Sequence, residues 1–270
     1  MDFAGKSVVI TGGASGIGAA LAARMIRLGA KVTIADLDAD VVRQKAGRLS
    51  CEGFACDVTR EADVIALCDA VRDRFGSVDI FVSNAGFMGH QPDHVASAPD
   101  AVWERSFAVH VMAQVFAARA VLPEMLARGS GGFITVASAA GLLNQIGDAA
   151  YSASKQAAVS FAESLSISHG HQGISVSVVC PQYVATPLIG LKDEDAQKGE
   201  GLLTADEVAG VIVDGAMVGD FLILPHPDVR SFAIRRAQDH DRWIAGMQKL
   251  HGKAADILEA EGPGGLYRLV

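Results

Sequence analysis

The sequence predicts an α/β fold: a doubly wound, mostly seven-stranded parallel sheet with helices on both faces. Two observations support this prediction. Short runs rich in Val, Ile and Phe are typical of strands buried on both faces, and longer segments of helical period separate consecutive runs. Because such folds bind ligands beyond the carboxyl ends of their strands, the residues that follow each strand are candidates for a functional site.

Seven strands are predicted in order, each bounded by polar or glycine-rich sequence: Ser7–Thr11, Lys31–Asp36, Gly53–Asp57, Asp79–Ser83, Gly132–Ala137, Ile174–Cys180 and Phe221–Pro225. Helical stretches lie between them, near residues 17–28, 38–49, 61–75, 100–127, 151–169 and 204–218. The charged, glycine-bounded segment 190–201 predicts a mobile loop. Residues 1–225 are therefore expected to form one domain. Residues 226–270 form a mostly helical tail that belongs to this domain or to an oligomer interface.

Composition narrows the class of protein. The chain has 270 residues, half of them hydrophobic, and a formal net charge of −8, which argues against nucleic acid or an anionic membrane as a partner. No run approaches the ~18–20 apolar residues of a membrane span, and the N-terminus lacks the layout of a signal peptide. The four cysteines match no zinc pattern, so buried thiols in a cytoplasmic protein are expected, with a disulfide framework or metal site as the alternative.

The first predicted strand runs into a glycine-rich turn, Gly12-Gly-Ala-Ser15-Gly16-Ile17-Gly18, and an alanine-rich helix follows. Glycines at these positions allow a tight turn and close approach of a pyrophosphate to the backbone, while the helix N-terminus offers free N–H groups. The position between a first strand and a first helix favours dinucleotide binding. A purely structural tight loop is the alternative.

The second predicted strand ends at Asp36, where an acidic residue can accept hydrogen bonds from the adenosine ribose. It would repel the 2′-phosphate of NADP. No Lys or Arg lies in the glycine turn or at positions 37–40, and Arg43 is more than a turn into the next helix. NAD is therefore favoured over NADP, with a helix-capping aspartate as the alternative interpretation.

Tyr151 and Lys155 are four residues apart, so both rise from one face of a predicted helix. A lysine cation beside a phenol lowers a pKa that is ordinarily ~10, which would give a proton donor and acceptor usable near neutral pH. Ser138 closes the fifth predicted strand, so its hydroxyl lies at the carboxyl edge of the sheet.

Further motifs occur in a recognisable order: Cys56-Asp57-Val58 after the third strand, Asn84-Ala85-Gly86 after the fourth, and Pro181, Val184 and Thr186 after the sixth. With the glycine turn and Ser138, Tyr151 and Lys155, they make residues 5–225 resemble the short-chain dehydrogenase/reductase family in its single-domain form. The resemblance implies a Rossmann-like fold, an enzyme that moves hydride to or from nicotinamide, and a homotetramer or homodimer.

The resemblance also implies roles for individual residues. Tyr151 is the general acid/base, Ser138 hydrogen-bonds the substrate oxygen, and Lys155 lowers the pKa of the tyrosine and bonds the nicotinamide ribose. Cofactor contacts are implied for the glycine turn and for the segments at 57–58, 84–86 and 181–186. A dinucleotide-binding sensor or scaffold that has kept the fold without catalysis is the alternative function.

Three departures from the family stand out. His110 occupies the position of an asparagine that orders water behind the lysine, so it is predicted to support Lys155 and to titrate near pH ~6.5. A packed histidine without a role is the alternative. Gln182 replaces the glycine of a Pro-Gly pair, which changes the backbone freedom beside the nicotinamide. A helical tail replaces the usual glycine-rich ending, and it is expected to dock on its own subunit, on a neighbour, or over a substrate pocket.

The predicted substrate pocket is mostly apolar, with the 190–201 loop as its lid. Its principal residues are Met88, Leu143, Asn144, Gln145, Tyr183 and Leu188, accompanied by Phe87, Leu142, Ile146 and Ile189. Because this set contains no Arg or Lys, a neutral, fairly hydrophobic secondary alcohol or its ketone is the expected substrate. The other histidines, His90 and His226 among them, show no metal-ligand pattern, so solvated or capping roles are expected for them.

Overall fold

A computed structural model describes residues 1–89, 91, 93–196 and 201–269. The strands are β1 (Ser7–Thr11), β2 (Lys31–Asp36), β3 (Glu52–Ala55), β4 (Ile80–Ser83), β5 (Gly131–Val136), β6 (Ile174–Val179), β7 (Tyr183–Ala185), β8 (Leu202–Thr204) and β9 (Leu222–Ile223). The α-helices are α1 (Gly16–Arg27), α2 (Ala39–Leu49), α3 (Glu61–Phe75), α4 (Asp100–Phe107), α5 (Ala113–Arg128), α6 (Ala140–Leu143), α7 (Ala149–His169), α8 (Ala205–Val218), α9 (Asp228–Gln238) and α10 (His240–Glu261).

Seven strands form one parallel sheet in the order β3-β2-β1-β4-β5-β6-β9, which confirms the predicted doubly wound α/β fold. Side chains alternate between its faces. Val8 and Ile10 of β1 belong to a core cluster that includes α1 and α8, whereas Val9 belongs to a second cluster that includes α3 and α5. The strand order reverses between β1 and β4, where folds of this class bind their ligands.

The strand predictions differ from the structure at the edges of the sheet. The third strand ends at Ala55 and not at Asp57, and β9 contains only Leu222 and Ile223 of the predicted Phe221–Pro225. A second, two-stranded parallel sheet of β7 and β8 was not predicted. Each of its strands has three residues, too few to show a period, and the partners lie far apart in the sequence.

Residues 190–196 of the predicted mobile loop include regular structure. A 3₁₀ turn spans Asp193–Asp195, and Asp195 accepts a hydrogen bond from the backbone N–H of Lys192 at 2.7 Å. Leu202, the first residue of β8, is buried. Residues 197–200 of the predicted lid, like His90, lie outside the described residues.

Helices α4 and α5 are continuous through a π-helical turn at Ala108–Met112. The combined helix, Asp100–Arg128, is long and apolar enough to cross a membrane by those two criteria alone. It also buries Val121 and Met125 completely in the cluster shared with α3 and the sheet. We therefore interpret it as a core helix. Its π turn matters for the site because it carries His110.

The C-terminal tail folds back onto the chain that carries it. Val229 of α9 is fully buried against Ala139 and Leu143, and Arg236 donates a hydrogen bond to the backbone carbonyl of Leu142. Helix α10 and a 3₁₀ segment, Pro263–Leu269, complete the tail. These contacts place the tail over the segment that follows β5. Whether it also forms an oligomer interface stays a prediction.

Candidate active site

Two cavities meet at the carboxyl edge of the sheet. The first, here the cofactor groove, has a volume of about 930 Å³ and follows the loops after β1, β2, β4 and β5. The second, the tail cavity, has about 580 Å³ and lies between the segment after β5 and helices α9 and α10. Ser138, Gln145, Gln182 and Tyr183 line both. A ligand in one cavity can therefore reach a ligand in the other at Ser138.

The glycine turn forms one end of the groove, and its backbone excludes larger residues. Gly12 has a φ of +62°, which favours glycine, and a Cβ on Gly18 would lie 2.2 Å from the carbonyl oxygen of Gly12. Position 18 therefore requires glycine, because the backbone of the turn packs too closely against it to leave room for a side chain. The Ser15 side chain does not cap α1, and the first turn of α1 contains no acidic residue. This leaves the helix N-terminus suited to an anion such as a pyrophosphate.

Asp36 lies at the end of β2 and lines the groove. Its Oδ2 accepts a hydrogen bond from the N–H of Ala14 at 3.0 Å, and its Oδ1 accepts one from the N–H of Leu37 at 2.9 Å. Two backbone donors thus fix the carboxylate beside the glycine turn. Its free lone pairs remain able to accept hydrogen bonds from hydroxyl groups of a ligand.

All but one of the predicted cofactor residues line the groove, Gly18 being the exception: Gly12, Ser15, Gly16, Ile17, Asp36, Asp57, Val58, Asn84, Ala85, Gly86, Tyr151, Lys155, Pro181, Val184 and Thr186. Asn84 supports the turn, because its Nδ2 donates to the carbonyls of Thr11 at 2.9 Å and Gly12 at 3.0 Å. The groove, its glycine turn and the unobstructed helix N-terminus fit a dinucleotide.

Ser138, Tyr151 and Lys155 all line the groove, and Ser138 also lines the tail cavity. Ser138 follows β5, and α7 carries the other two residues; all three are buried. Ser138 hydrogen-bonds the Tyr151 hydroxyl. Lys155 Nζ donates to the carbonyl of Val136 at 3.0 Å and lies 5.5 Å from the centroid of the Tyr151 ring.

The pKa values correct one sequence-based expectation. Burial raises the pKa of Tyr151 to about 12, and the hydrogen bond from Ser138 offsets only part of this effect. Burial also lowers the pKa of Lys155 to about 8. The expectation of a Tyr151 pKa below its ordinary value is therefore wrong for the protein alone, because burial disfavours the charged phenolate and is the largest effect on this group. Tyr151 is a neutral phenol near pH 7, ready to donate a proton.

The sequence analysis missed Asp148, which organises the start of the catalytic helix. This buried residue is the N-cap of α7: its Oδ1 accepts the N–H of Tyr151 at 2.9 Å, and its Oδ2 accepts the N–H of Gly89 at 3.1 Å. It therefore joins the segment after β4 to the helix that carries Tyr151. An aspartate three residues before Tyr151 is a helix-start signal, so the sequence held the clue.

His110 is buried behind Tyr151, with the two rings edge to face and 5.3 Å apart. Its Nε2 accepts the N–H of Phe87 at 3.0 Å, so a neutral ring carries its proton on Nδ1, 2.8 Å from Ser154 Oγ. Ser154 in turn donates to the carbonyl of Tyr151. Burial, then the charge of Lys155, lower the pKa of His110 well below 6.5. The predicted titration near pH 6.5 is therefore wrong.

A second histidine holds the loop in which Gln182 replaces the family glycine. His226 is buried; its Nδ1 accepts the N–H of Gln182 at 3.1 Å, and its Nε2 lies 3.1 Å from the carbonyl oxygen of Tyr183. The Tyr183 hydroxyl accepts a hydrogen bond from Gln145 Nε2 at 3.1 Å. These contacts fix the loop between the two cavities. Sequence reasoning gave His226 only a solvated or capping role.

The predicted substrate residues divide between the cavities. Leu143 and Asn144 line the tail cavity, Met88 and Leu188 line the groove, and Gln145 and Tyr183 line both. Of the residues predicted to accompany them, Ile146 lines the tail cavity and Phe87 and Ile189 line the groove, whereas Leu142 lines neither.

The predicted set of pocket residues did not include the tail, which contributes Phe232, Arg235, Arg242, Trp243 and Met247 to the tail cavity. The tail cavity therefore contains arginines that the predicted set lacks, because residues far along the chain complete its lining. Within the described residues, no group of three or more His, Cys, Asp or Glu could hold a metal ion.

Comparison with known proteins identifies the family. The family model for short chain dehydrogenases matches residues 6–197. The chain belongs to this family. It is 35% identical over 246 residues to 1-deoxy-11-beta-hydroxypentalenate dehydrogenase of Streptomyces exfoliatus, covering 88% of each chain. It is 37% identical over 188 residues to 2-(S)-hydroxypropyl-CoM dehydrogenase 3 of Xanthobacter autotrophicus, covering 68% of this chain and 73% of the relative.

A solved structure supports the same family assignment. A short chain dehydrogenase/reductase from Burkholderia phymatum in complex with NAD superposes with a TM-score of 0.81 at 28% identity, covering 89% of this chain and 96% of that one. The chain is thus an oxidoreductase of a family that binds nicotinamide dinucleotides, and the two relatives above are named as dehydrogenases of hydroxy compounds.

Proposed function

We propose that this protein is an NAD-dependent dehydrogenase that interconverts a secondary alcohol and its ketone, with Tyr151 as the general acid/base. The observation that carries the proposal is that Ser138, Tyr151 and Lys155 are buried and all line the groove, while Ser138 also lines the tail cavity. A cofactor in the groove and a substrate in the tail cavity would meet at Ser138, beside Tyr151. Two named relatives that act on hydroxy compounds support the reaction class.

The roles follow from the contacts. Ser138 hydrogen-bonds Tyr151 and faces both cavities, so it can hold the substrate oxygen beside the phenol. Because the raised pKa keeps Tyr151 neutral near pH 7, Tyr151 can donate its proton to a ketone oxygen during reduction. Lys155 is held against Val136 and lines the groove, where it can bond a ribose hydroxyl. Bound nicotinamide supplies or accepts the hydride.

Asp36 supports NAD over NADP. Its carboxylate is fixed by Ala14 and Leu37 at the end of β2, where a 2′-phosphate would meet a negative charge. The preference for NAD is part of the proposal. A cytoplasmic location and a homodimer or homotetramer complete it; the four unpaired thiols are typical of a reducing compartment.

The test is turnover of secondary alcohols, followed by nicotinamide absorbance. We expect oxidation of members of such a panel with NAD, and a loss of about a hundredfold or more in kcat for Tyr151→Phe with NADH binding unchanged. Tyr267→Phe is the matched control, because Tyr267 is a buried tyrosine that lies outside the lining of both cavities. Binding of NADH without turnover of any alcohol or ketone would instead identify a sensor or scaffold.

A further inference from the structure

The tail cavity holds two cations beside an apolar wall, and the reaction does not explain them. Arg235 of α9 and Arg242 of α10 both line the cavity that begins at Ser138. Arg236, between them in sequence, uses its guanidinium to bond the carbonyl of Leu142 and so helps to hold the tail in place. In the part of the chain that the structure describes, the guanidinium groups of Arg235 and Arg242 make no such hydrogen bond to the backbone.

Neither guanidinium is neutralised. Among the described residues, neither Arg235 nor Arg242 forms an ion pair, whereas arginines elsewhere, such as Arg24 and Arg74, do. The lining contains one carboxylate, Asp239, whose Oδ1 caps α10 by accepting the N–H of Arg242 at 3.0 Å. The remaining lining residues are uncharged. The cavity is therefore net positive in a chain whose formal net charge is −8.

The geometry of Arg235 leaves it available to a ligand. Its Cζ lies 4.8 Å from the centroid of the Phe232 ring, and this stacking restrains the exposed guanidinium, whose N–H groups donate to no protein acceptor among the described residues. A planar, restrained guanidinium suits a planar carboxylate, which it can bind through two parallel hydrogen bonds. Trp243, Met247 and Leu250 supply the apolar wall beside it.

We propose that the substrate is a hydroxy or keto acid whose carboxylate binds Arg235 and Arg242 while its apolar carbon chain lies along Trp243. The cavity volume of about 580 Å³ falls within the range of small-molecule sites, about 300–1,000 Å³. This inference rests on the proposed alcohol–ketone reaction. It replaces the neutral substrate that the sequence predicted, because that prediction assumed a pocket without Arg.

The first arm of the test compares a series of hydroxyoctanoates with their methyl esters as substrates. For the isomers that react, we expect kcat/KM with the acid to exceed that with the ester by about tenfold or more, since charge-assisted hydrogen bonds are lost in the ester. The double variant Arg235→Gln/Arg242→Gln should lose about ten- to a hundredfold in kcat/KM for the acid, mainly through KM, and keep its value for the ester.

Arg230→Gln is the matched control, because Arg230 is exposed on α9 and lies outside the cavity lining. It should leave both substrates unaffected. Equal use of acid and ester by the parent would overturn the proposal. A double variant that loses activity equally on both would do the same, since it would indicate a general change in the cavity.

The second arm measures binding without turnover, so that failure of the reaction and failure of acid recognition give different results. Octanoate should raise the melting temperature of the parent but not of the double variant, and methyl octanoate should raise neither to the same degree. If octanoate raises the melting temperature of the parent but not of the double variant, and no substrate is turned over, acid recognition stands and the proposed reaction is rejected. Equal shifts by octanoate in parent and double variant would reject acid recognition.

Discussion

The cofactor groove and the tail cavity are built in different ways. The cofactor end of the groove is shaped by backbone: a glycine turn, strand ends and the N-terminus of α1, with Asp36 held by two backbone N–H groups. The tail cavity is lined mainly by side chains, many of them from α9 and α10, which lie far along the chain from Ser138 and α6. The backbone of the groove must meet requirements that all dinucleotide cofactors share, whereas the side chains of the tail cavity can vary with the substrate.

The substitution with the largest expected effect on activity lies in the groove. Replacing Asp36 by Arg removes the carboxylate that repels a 2′-phosphate and adds a cation that can bind it. We expect the ratio of kcat/KM for NAD to that for NADP to fall by about a hundredfold, roughly 2.8 kcal/mol. KM for the alcohol should stay nearly constant.

Asp40→Asn is the matched control, because it removes an exposed carboxylate of α2 that pairs with Arg43. It should not change cofactor preference. If the parent already prefers NADP tenfold or more, our interpretation of Asp36 is wrong.

His226 lies between the two cavities, so its loss should affect both ligands. In His226→Ala the N–H of Gln182 and the carbonyl of Tyr183 lose their partner, and the loop that lines both cavities loses its support. We expect kcat/KM to fall about tenfold, with a higher KM for cofactor and for alcohol, corresponding to about 1.4 kcal/mol.

His226→Asn, which can still accept from Gln182, should recover part of this loss. His171→Ala removes an exposed histidine of the 3₁₀ turn at Gly170–Gln172 and should behave like the parent. A change confined to one of the two KM values would show that the loop serves a single cavity.

The last prediction concerns the stability of the fold, and not turnover, and involves His110, which lies behind the wall of the groove. The folded state holds the pKa of His110 well below the ordinary value of 6.5. On acidification, His110 therefore becomes protonated in the unfolded chain while it stays neutral in the folded chain. Stability therefore falls as pH drops below about 6.5, by about 1.4 kcal/mol at one pH unit below.

His110→Asn removes this titration. Urea unfolding at about pH 7.5 and about pH 5.5 should give a smaller loss of unfolding free energy on acidification for the variant than for the parent. Because His226 also has a lowered pKa, part of the loss should remain in both proteins. Identical losses would mean that His110 does not titrate as its burial implies.

The sequence predicted the regions that obey local rules. The glycine turn, Asp36 at a strand end and the Tyr151–Lys155 spacing all follow from short-range requirements of backbone or helix, and the structure places them along one groove. It could not predict β7 and β8, whose three-residue strands pair across a long segment. Nor could it place Arg235 and Arg242 in the cavity that contains Ser138, because only tertiary packing brings α9 and α10 there.

The extent of side-chain burial is the other property that the sequence did not reveal. Sequence spacing suggested that Lys155 would lower the pKa of Tyr151, yet desolvation raises that pKa to about 12 and lowers that of Lys155 to about 8. The same cause takes the pKa of His110 well below 6.5. Each of these directions depends on how completely the fold excludes water, which no residue pattern states.

The central claim is that Tyr151 transfers a proton where the groove and the tail cavity meet. Its most direct test is a single turnover: protein loaded with NADH is mixed with a ketone that the parent reduces, and nicotinamide absorbance is followed. Tyr151→Phe should bind NADH with the affinity of the parent and transfer hydride about a hundredfold or more slowly. Equal single-turnover rates in the parent and Tyr151→Phe, at equal NADH occupancy, would contradict the account.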